Sequence, residues 1–422
     1  MRVSTSNLGA ACFTAVLLAA CGGSNNGFSS STPVSVAPQI RTSRSGTAGV
    51  PGTSGSEQVL YSFKGGRDGV NPHASLINVD ETLYGTTEFG GRGKCKSFRQ
   101  RAACGTVFAI TTAGAETVLY RFRGVTGTSP LANLLNVKGT LYGTTANGGA
   151  YGSGTVFSVT KSGTETPLYS FGGVSADGRN PVAALINVKG TLYGTTQDGG
   201  LPSHNGGTVF AISPAGTETV LHKFGDSGDG EVPESVLTNV NGTLYGTTQY
   251  GGAGSGCCGT VFKITTSGTE SVVYSFRGSP DGLQPSTGLI YIKGTLYGTT
   301  SGGGANCSAS GGCGTVFSIT TSGKETVLHS FGGSGDGDGP VADLTNVNGM
   351  LYGTTILGGA SNSGTVFAIT TSGKETVLYS FGGESGDGGL PGAALTNVNG
   401  TLYGTTIYGG AYGYGTVFSL SL

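Results

Sequence analysis

From residue 57 onward the apolar positions fall in short runs, with no three-to-four spacing of the kind an amphipathic helix needs. One stretch shows the whole pattern. "VADLTNV" (341–347) has strand composition and ends at Asn348-Gly349, a tight-hairpin signal; "MLYGTT" (350–355) is the return strand. A glycine-rich loop leads to a third strand, "GTVFAIT" (364–370), and "TSGK" (371–374) turns it into a fourth, "ETVLYSF" (375–381). Val366, Phe367 and Ile369 stand almost side by side, so both faces of the strand are apolar. A sheet with one wet face would alternate; a sheet packed between two others would not. Four locally joined antiparallel strands with two dry faces predict one blade of a β-propeller.

The same words recur seven times, at Tyr84, Tyr142, Tyr193, Tyr245, Tyr297, Tyr352 and Tyr403, with spacings of 58, 51, 52, 52, 55 and 51 residues. Periods of this size mark solenoids, propellers or arrays. Fourteen of the 18 phenylalanines occupy two fixed repeat positions, exemplified by Phe367 and Phe381, and read as layer fillers. The phase of the repeat adds closure. The body opens on "SEQVLYSF" (56–63), a fourth strand without its first three, and ends on "GTVFSLSL" (415–422), a third strand without its fourth. Pairing 57–63 with 415–421 would remove two exposed strand edges. The expected fold is all-β: a seven-bladed propeller of four-stranded antiparallel blades, shut by the N-terminal strand.

The words "LYGTT", "GTVF" and "LYSF", with an Asp-Gly turn between units, resemble the GloVer tandem-repeat family of bacterial surface proteins. The resemblance covers residues 57–422 and implies varied surface anchors; it brings no established activity with it. Kelch propellers are a looser resemblance, through strand order and the paired glycines after the second strand; their characteristic Trp is missing.

Composition narrows the class. Glycine supplies 82 of 422 residues, charged side chains only 11%, and the net charge is -1. Gly does not recur every third residue, which excludes collagen. The near-zero net charge gives nucleic acid no bulk electrostatic attraction. The first 20 residues carry one early positive charge, Arg2, and an apolar run too short to span a bilayer, the pattern of a secretory signal. Leu18-Ala19-Ala20-Cys21 resembles the lipobox of bacterial lipoproteins, which implies that Cys21 becomes the lipidated N-terminus. Residues 21–56, rich in Ser, Thr, Gly and Pro, read as a flexible tether that holds the body at a membrane. Gly22 follows the cysteine in place of a retention-type Asp, which favours the outer membrane of the cell envelope.

The loops between second and third strands vary most. Between the Gly pair and "GTVF" they run 13, 4, 6, 6, 9, 4 and 4 residues. Variable loops on a rigid scaffold are where function usually sits. They hold the six cysteines left after Cys12 and Cys21: Cys95 with Cys104 and Cys307 with Cys313 read as intraloop disulfides in an oxidising compartment, while Cys257 and Cys258 pair with each other or with a neighbouring blade. The longest loop carries Arg92, Lys94, Lys96, Arg99 and Arg101, a solvated loop or a catch for an anionic polysaccharide or lipid head group. Phe89, Tyr250, Tyr408, Tyr151, Tyr412 and Tyr414 either stack on a ligand, sugars above all, or pack under the loops.

The blade links read Asp-Gly-x-x-Pro at Asp68, Asp177, Asp229, Asp281, Asp336 and Asp387, with Thr126 in the remaining copy. Each Asp is expected to cap a turn while its Gly takes positive φ. One Asp per link is too few for calcium, and no residues show metal-ligand spacing. His222 and His329 replace the Tyr of "LYSF" and read as packing variants; His73 follows a link proline and His204 sits in a loop. No catalytic set and no cofactor is expected. The reading is a membrane-tethered binding, adhesion or scaffold module, monomeric, with a glycan or protein ligand. The alternatives are a polysaccharide-active glycosidase or lyase, or a purely structural envelope component.

Overall fold

The computed structural model describes residues 56–91, 104–200, 205–226, 228–253, 257–306 and 312–422. The hairpin dipeptides set the first turn of each unit: Asn348 and Gly349 hold φ of 54° and 88°, the two left-handed residues a type I′ turn requires. Asn346 secures the turn by accepting a hydrogen bond from Gly349 N at 2.9 Å. Blade 1 departs from the expected dipeptides, with Asp80 and Glu81 holding φ of 53° and 62° at the same place.

Seven four-stranded antiparallel sheets result, each in the order first, second, third, fourth strand. Blade 1 comprises Ile77–Val79, Thr82–Thr87, Thr106–Thr111 and Glu116–Arg121. Blades 2 to 6 span residues 135–170, 186–223, 238–275, 290–330 and 345–380. Blade 7 takes Thr396–Val398, Thr401–Thr406 and Thr416–Ser421 from the end of the chain and Glu57–Ser62 from its front. The expected seam is present: Glu57 faces Leu420, Val59 faces Phe418 and Ser62 faces Thr416, and Phe63 N donates to Gly415 O at 3.0 Å. First strands of adjacent blades lie beside one another around the axis. The only helical element among the described residues is the 3-10 turn Gly124–Thr126.

The core is a set of inter-blade layers. One cluster joins Val366 and Phe381 of blade 6 to Leu402, Phe418 and Leu420 of blade 7; another joins Phe63, Tyr403 and Val417 to Leu83 and Phe108 of blade 1. The fourteen repeat phenylalanines form seven edge-to-face pairs across blade boundaries, from Phe63–Phe108 at 5.2 Å to Phe381–Phe418 at 5.0 Å. Such pairs add about 0.5–1.5 kcal/mol each beyond the area they bury. The glycine of "LYGTT" is dictated by this layer, since a Cβ on Gly85 would stand 2.7 Å from Phe108 Cζ and 2.9 Å from Leu76 Cδ2.

The paired threonines of "GTT" are buried and satisfied. Thr355 Oγ1 meets Thr365 Oγ1 at 2.8 Å within blade 6, and Thr354 Oγ1 donates to Ala393 O of the next blade at 3.1 Å. Across the seam, Thr405 Oγ1 donates to Ala74 O at 3.2 Å. Buried hydroxyls without partners would be costly, so these bonds fix the spacing between blades. Each fourth strand also bulges by one residue, Leu378 in blade 6 and Leu60 in blade 7. The bulge twists the outer strand and turns its carbonyl to the next blade. A Cβ on Gly373 of the "TSGK" turn would stand 2.5 Å from the bulge carbonyl of Leu328.

Candidate functional site

The links hold the fold's symmetry, and they also break it. Asp68 Oδ2 accepts hydrogen bonds from Lys64 N at 2.8 Å and Tyr61 Oη at 2.9 Å, the expected turn cap. Glycine's part differs from the expectation. Gly69 is left-handed, at φ 129°, but Gly178, Gly230, Gly282, Gly337 and Gly388 lie outside that region. They are glycine because the link runs against the last buried threonine of "GTT"; a Cβ on Gly388 would stand 2.5 Å from Thr406 Cγ2. Each link also pairs with the residues after the second strand, as Arg179 with Asp198, so links and variable loops share one face.

The residue after each link proline lines a cavity on the axis: His73, Leu131, Val182, Glu234, Ser286, Val341 and Gly392. Seven equivalent places hold six residue types. The cavity measures about 110 Å³, and Ser75, Asn133 and Asp343 also line it. His73 Nε2 lies 3.5 Å from Glu88 Oε2, and burial pushes its pKa down to about 4. Glu234 Oε1 accepts from Gln197 Nε2 at 2.6 Å. Burial, reinforced by the Asp198 charge and opposed by Gln197, moves Glu234 up to about 7. Burial also raises Asp343, partly offset by Gly288 N donating to its Oδ1 at 2.5 Å. The sequence offered a signal here, the varied residue after an unvarying proline. Reading it requires knowing that those seven residues meet.

A second constellation repeats at the outer edge of the blade boundaries. The Glu that opens one fourth strand meets the aromatic of the preceding fourth strand and the link Asp. Tyr169, Tyr274 and Tyr379 donate to Asp177, Asp281 and Asp387 at 3.1, 2.9 and 3.0 Å, and Tyr120 to Thr126 at 3.1 Å. Oε1 of Glu57, Glu116, Glu165, Glu218, Glu270, Glu325 and Glu375 is shut from solvent without a hydrogen-bond partner among the described residues. Burial, reinforced in most copies by the nearby Asp, raises these carboxyls, Glu57 to about 8 and Glu116, Glu218, Glu270, Glu325 and Glu375 to about 7. Tyr274, Arg277, Ser279, Asp281 and Glu325 line a groove of about 560 Å³ at the boundary of blades 4 and 5. His222 and His329 occupy the Tyr place at two boundaries. They are more than packing variants, because His222 Nε2 lies 3.0 Å from Asp229 Oδ2 and His329 Nε2 3.0 Å from Asp336 Oδ2.

A family model described as the Gloeobacter/Verrucomicrobia repeat matches residues 42–258, 95–311 and 235–418. The chain belongs to this repeat family. No curated protein matches it. Among solved structures, the repeat protein is similar to the computationally designed Ika8 protein at 14% identity, with 86% of this chain and 100% of that one covered and a TM-score of 0.46. A gluconolactonase from Xanthomonas campestris gives 11% identity, 87% and 90% coverage and a TM-score of 0.42. A puromycin-hydrolysing peptidase of Mycobacterium tuberculosis gives 12% identity over 85% of this chain and 53% of that one, with a TM-score of 0.49.

In this member of the repeat family the expected loop-face aromatics divide. Phe89 and Tyr250 are half-buried against the links, paired with Val70 and Glu231, and Tyr250 Oη accepts from Gln284 Nε2 at 3.0 Å. Tyr151 is 62% exposed, Tyr412 55%, Tyr414 37% and Tyr408 36%. The rings of Tyr151 and Tyr414 lie over Gly173 and Gly65 of the links. Val125 and Val174, in the links on either side of blade 2, are exposed too. These six lie on one arc of the loop face, from blade 7 through the link after blade 2. Cys257 and Cys258 have their Cα atoms 3.7 Å apart and their sulfurs in contact. Cys104 and Cys313 are buried directly ahead of their third strands. Cys21, Cys95, Cys307, Arg92, Arg99, Arg101 and His204 lie outside the described residues.

Proposed function

We propose that the protein is a lipid-anchored binding module of the bacterial cell envelope, taking a glycan on the arc of its loop face that runs from blade 7 to blade 2. The observation that carries this is the gathering of Tyr151, Tyr408, Tyr412 and Tyr414, exposed, on that arc. Exposed aromatics of this kind suit the faces of sugar rings, with the hydroxyls left for polar contacts. In the sequence, Arg92, Arg99 and Arg101 fall between the second and third strands of blade 1. That charge favours an anionic polysaccharide. The anchor rests on the sequence around Cys21, and the pairs Cys95–Cys104, Cys307–Cys313 and Cys257–Cys258 are read as disulfides in keeping with export.

Glycan-array binding by the full chain in detergent tests the reading. Anionic polysaccharides should be retained, and Tyr151→Ala with Tyr412→Ala should reduce binding at least tenfold; an unaltered profile contradicts it. Cys21→Ser should move the protein from the membrane pellet to the soluble fraction.

A second reading, catalysis at the axis, is favoured by the neutral His73 beside Glu88 and by Glu234 in the same cavity. Size weighs against it. About 110 Å³ is room for three or four waters, where ligand pockets usually exceed roughly 300 Å³. Release of reducing ends or unsaturated products from polysaccharides, lost in His73→Ala, would favour it.

A further inference from the structure

We propose that two blade boundaries each bind a divalent transition ion such as zinc, through His222, Asp229 and Glu270 and through His329, Asp336 and Glu375. In each set the available ligand atoms lie within 4.8 Å of one another. His222 Nε2 and Asp229 Oδ2 are 3.0 Å apart, as are His329 Nε2 and Asp336 Oδ2. Two ligands about 2.0–2.2 Å from a common ion, at right to tetrahedral angles, stand about 3.0–3.5 Å apart. Imidazole with two carboxylates suits zinc or its first-row neighbours, and three protein ligands leave a position for water.

The chain supplies its own control, because the tyrosine boundaries differ in more than the aromatic. There the Asp Oδ2 is already capped by a backbone N–H of its link: from Lys64 at 2.8 Å, Gly172 at 2.7 Å, Arg277 at 3.0 Å and Gly382 at 2.8 Å. At the histidine boundaries that amide is missing, and among the described residues the imidazole is the sole hydrogen-bond partner of Asp229 Oδ2 and of Asp336 Oδ2. The other oxygen of each is held by Gly230 N at 2.7 Å and Gly337 N at 2.6 Å. Outer bonds of this kind orient a ligating carboxylate. Phe224 and Phe331 pack edge-to-face on the two imidazoles at 4.6 and 4.8 Å and fix their direction. Oε1 of Glu270 and of Glu375 completes each set, buried and without a hydrogen-bond partner. Around the tyrosines, Lys64 and Arg121 act on Glu116, and Arg277 on Tyr274. Among the described residues no Lys or Arg acts on Glu270 or Glu375. A divalent ion would balance the two carboxyl groups that each set brings together.

Each ion would join the fourth strand of one blade to that of the next, blade 3 to blade 4 and blade 5 to blade 6, independently of any glycan on the loop face. The test is zinc titration by calorimetry of the full chain, stripped with chelator and with disulfides intact, beside His222→Tyr/His329→Tyr. Tyrosine is the residue at the other five boundaries, so that variant should fold. Glu270→Gln/Glu375→Gln removes ligands without changing shape and is measured in parallel. The wild type should bind two ions more than either double variant, each single His variant should lose one, and zinc should raise the melting temperature of the wild type alone. Equal zinc stoichiometry in wild type and both double variants, or wild-type binding no tighter than millimolar, would leave plain histidine–carboxylate hydrogen bonds and overturn the proposal.

Discussion

The blade interiors and the ring behind the link prolines are built from the same seven repeats, and they follow opposite rules. Inside the blades, the threonine pair, the glycine under the phenylalanine and the edge-to-face ring pair recur at every boundary. On the axis, equivalent positions hold His73, Leu131, Val182, Glu234, Ser286, Val341 and Gly392. Interior positions answer to two neighbouring blades at once, where a change of one methylene is felt. Ring positions line the axial cavity, and its space releases them from that constraint. The framework therefore carries the fold, and the departures from symmetry fall on the axis, in the loops and at the two histidine boundaries.

The largest break in this contrast comes from the seam. Deleting residues 57–63 removes the outer strand of blade 7 together with Phe63 and exposes the edge of its third strand, Thr416–Ser421. The expected cost is about 5 kcal/mol or more, with self-association, read by thermal melting and sedimentation. Phe367→Ala should cost about 3–5 kcal/mol in denaturant unfolding, because the side chain is fully buried and paired with Phe331. Gly85→Ala should cost about 1–3 kcal/mol by crowding Phe108 and Leu76. Tyr412→Ala, on the exposed arc, should change stability by no more than about 0.5 kcal/mol while glycan binding falls. Equal costs at Phe367 and Tyr412 would erase the distinction between framework and face.

The boundary glutamates sharpen the comparison through pH. All seven are raised above the ordinary 4.5, Glu57 to about 8 and Glu116, Glu218, Glu270, Glu325 and Glu375 to about 7, so folding favours the protonated form. That contribution is complete below about 4.5 and is lost as pH rises through 7 to 8. His73 acts in the opposite sense: its pKa is lowered to about 4, so its contribution holds above 6.5 and is lost as pH falls from there. Seven carboxyls outweigh one imidazole. The melting temperature of the chelated protein should fall by several degrees between pH 6.5 and pH 9, and by less in Glu57→Gln.

Most of the fold was legible in the sequence, because its determinants are local. Hairpin dipeptides, strand composition and the phase of the repeat lead to seven blades and to the pairing of 57–63 with 415–421. The candidate sites were harder to read. His222 and Glu270 belong to different blades, and nothing along the chain announces that their fourth strands run side by side. The glycine of each Asp-Gly link suggested a left-handed turn; in most copies its reason is a close approach to a threonine far along the chain. Phe89, Tyr250 and Tyr408 share a repeat position and all pair with a link, but the link residue opposite is Val70 or Glu231 for the half-buried pair and Gly389 for the exposed Tyr408, a tertiary difference that their spacing does not encode.

Amide hydrogen exchange at the seam tests the central claim most directly. In a closed ring, the amides of residues 58–61 and 417–420 exchange as slowly as those of the matching third and fourth strands in blade 6. Exchange of 58–61 at the rate of an unpaired chain, with blade 6 protected, would contradict a ring shut by its own first strand.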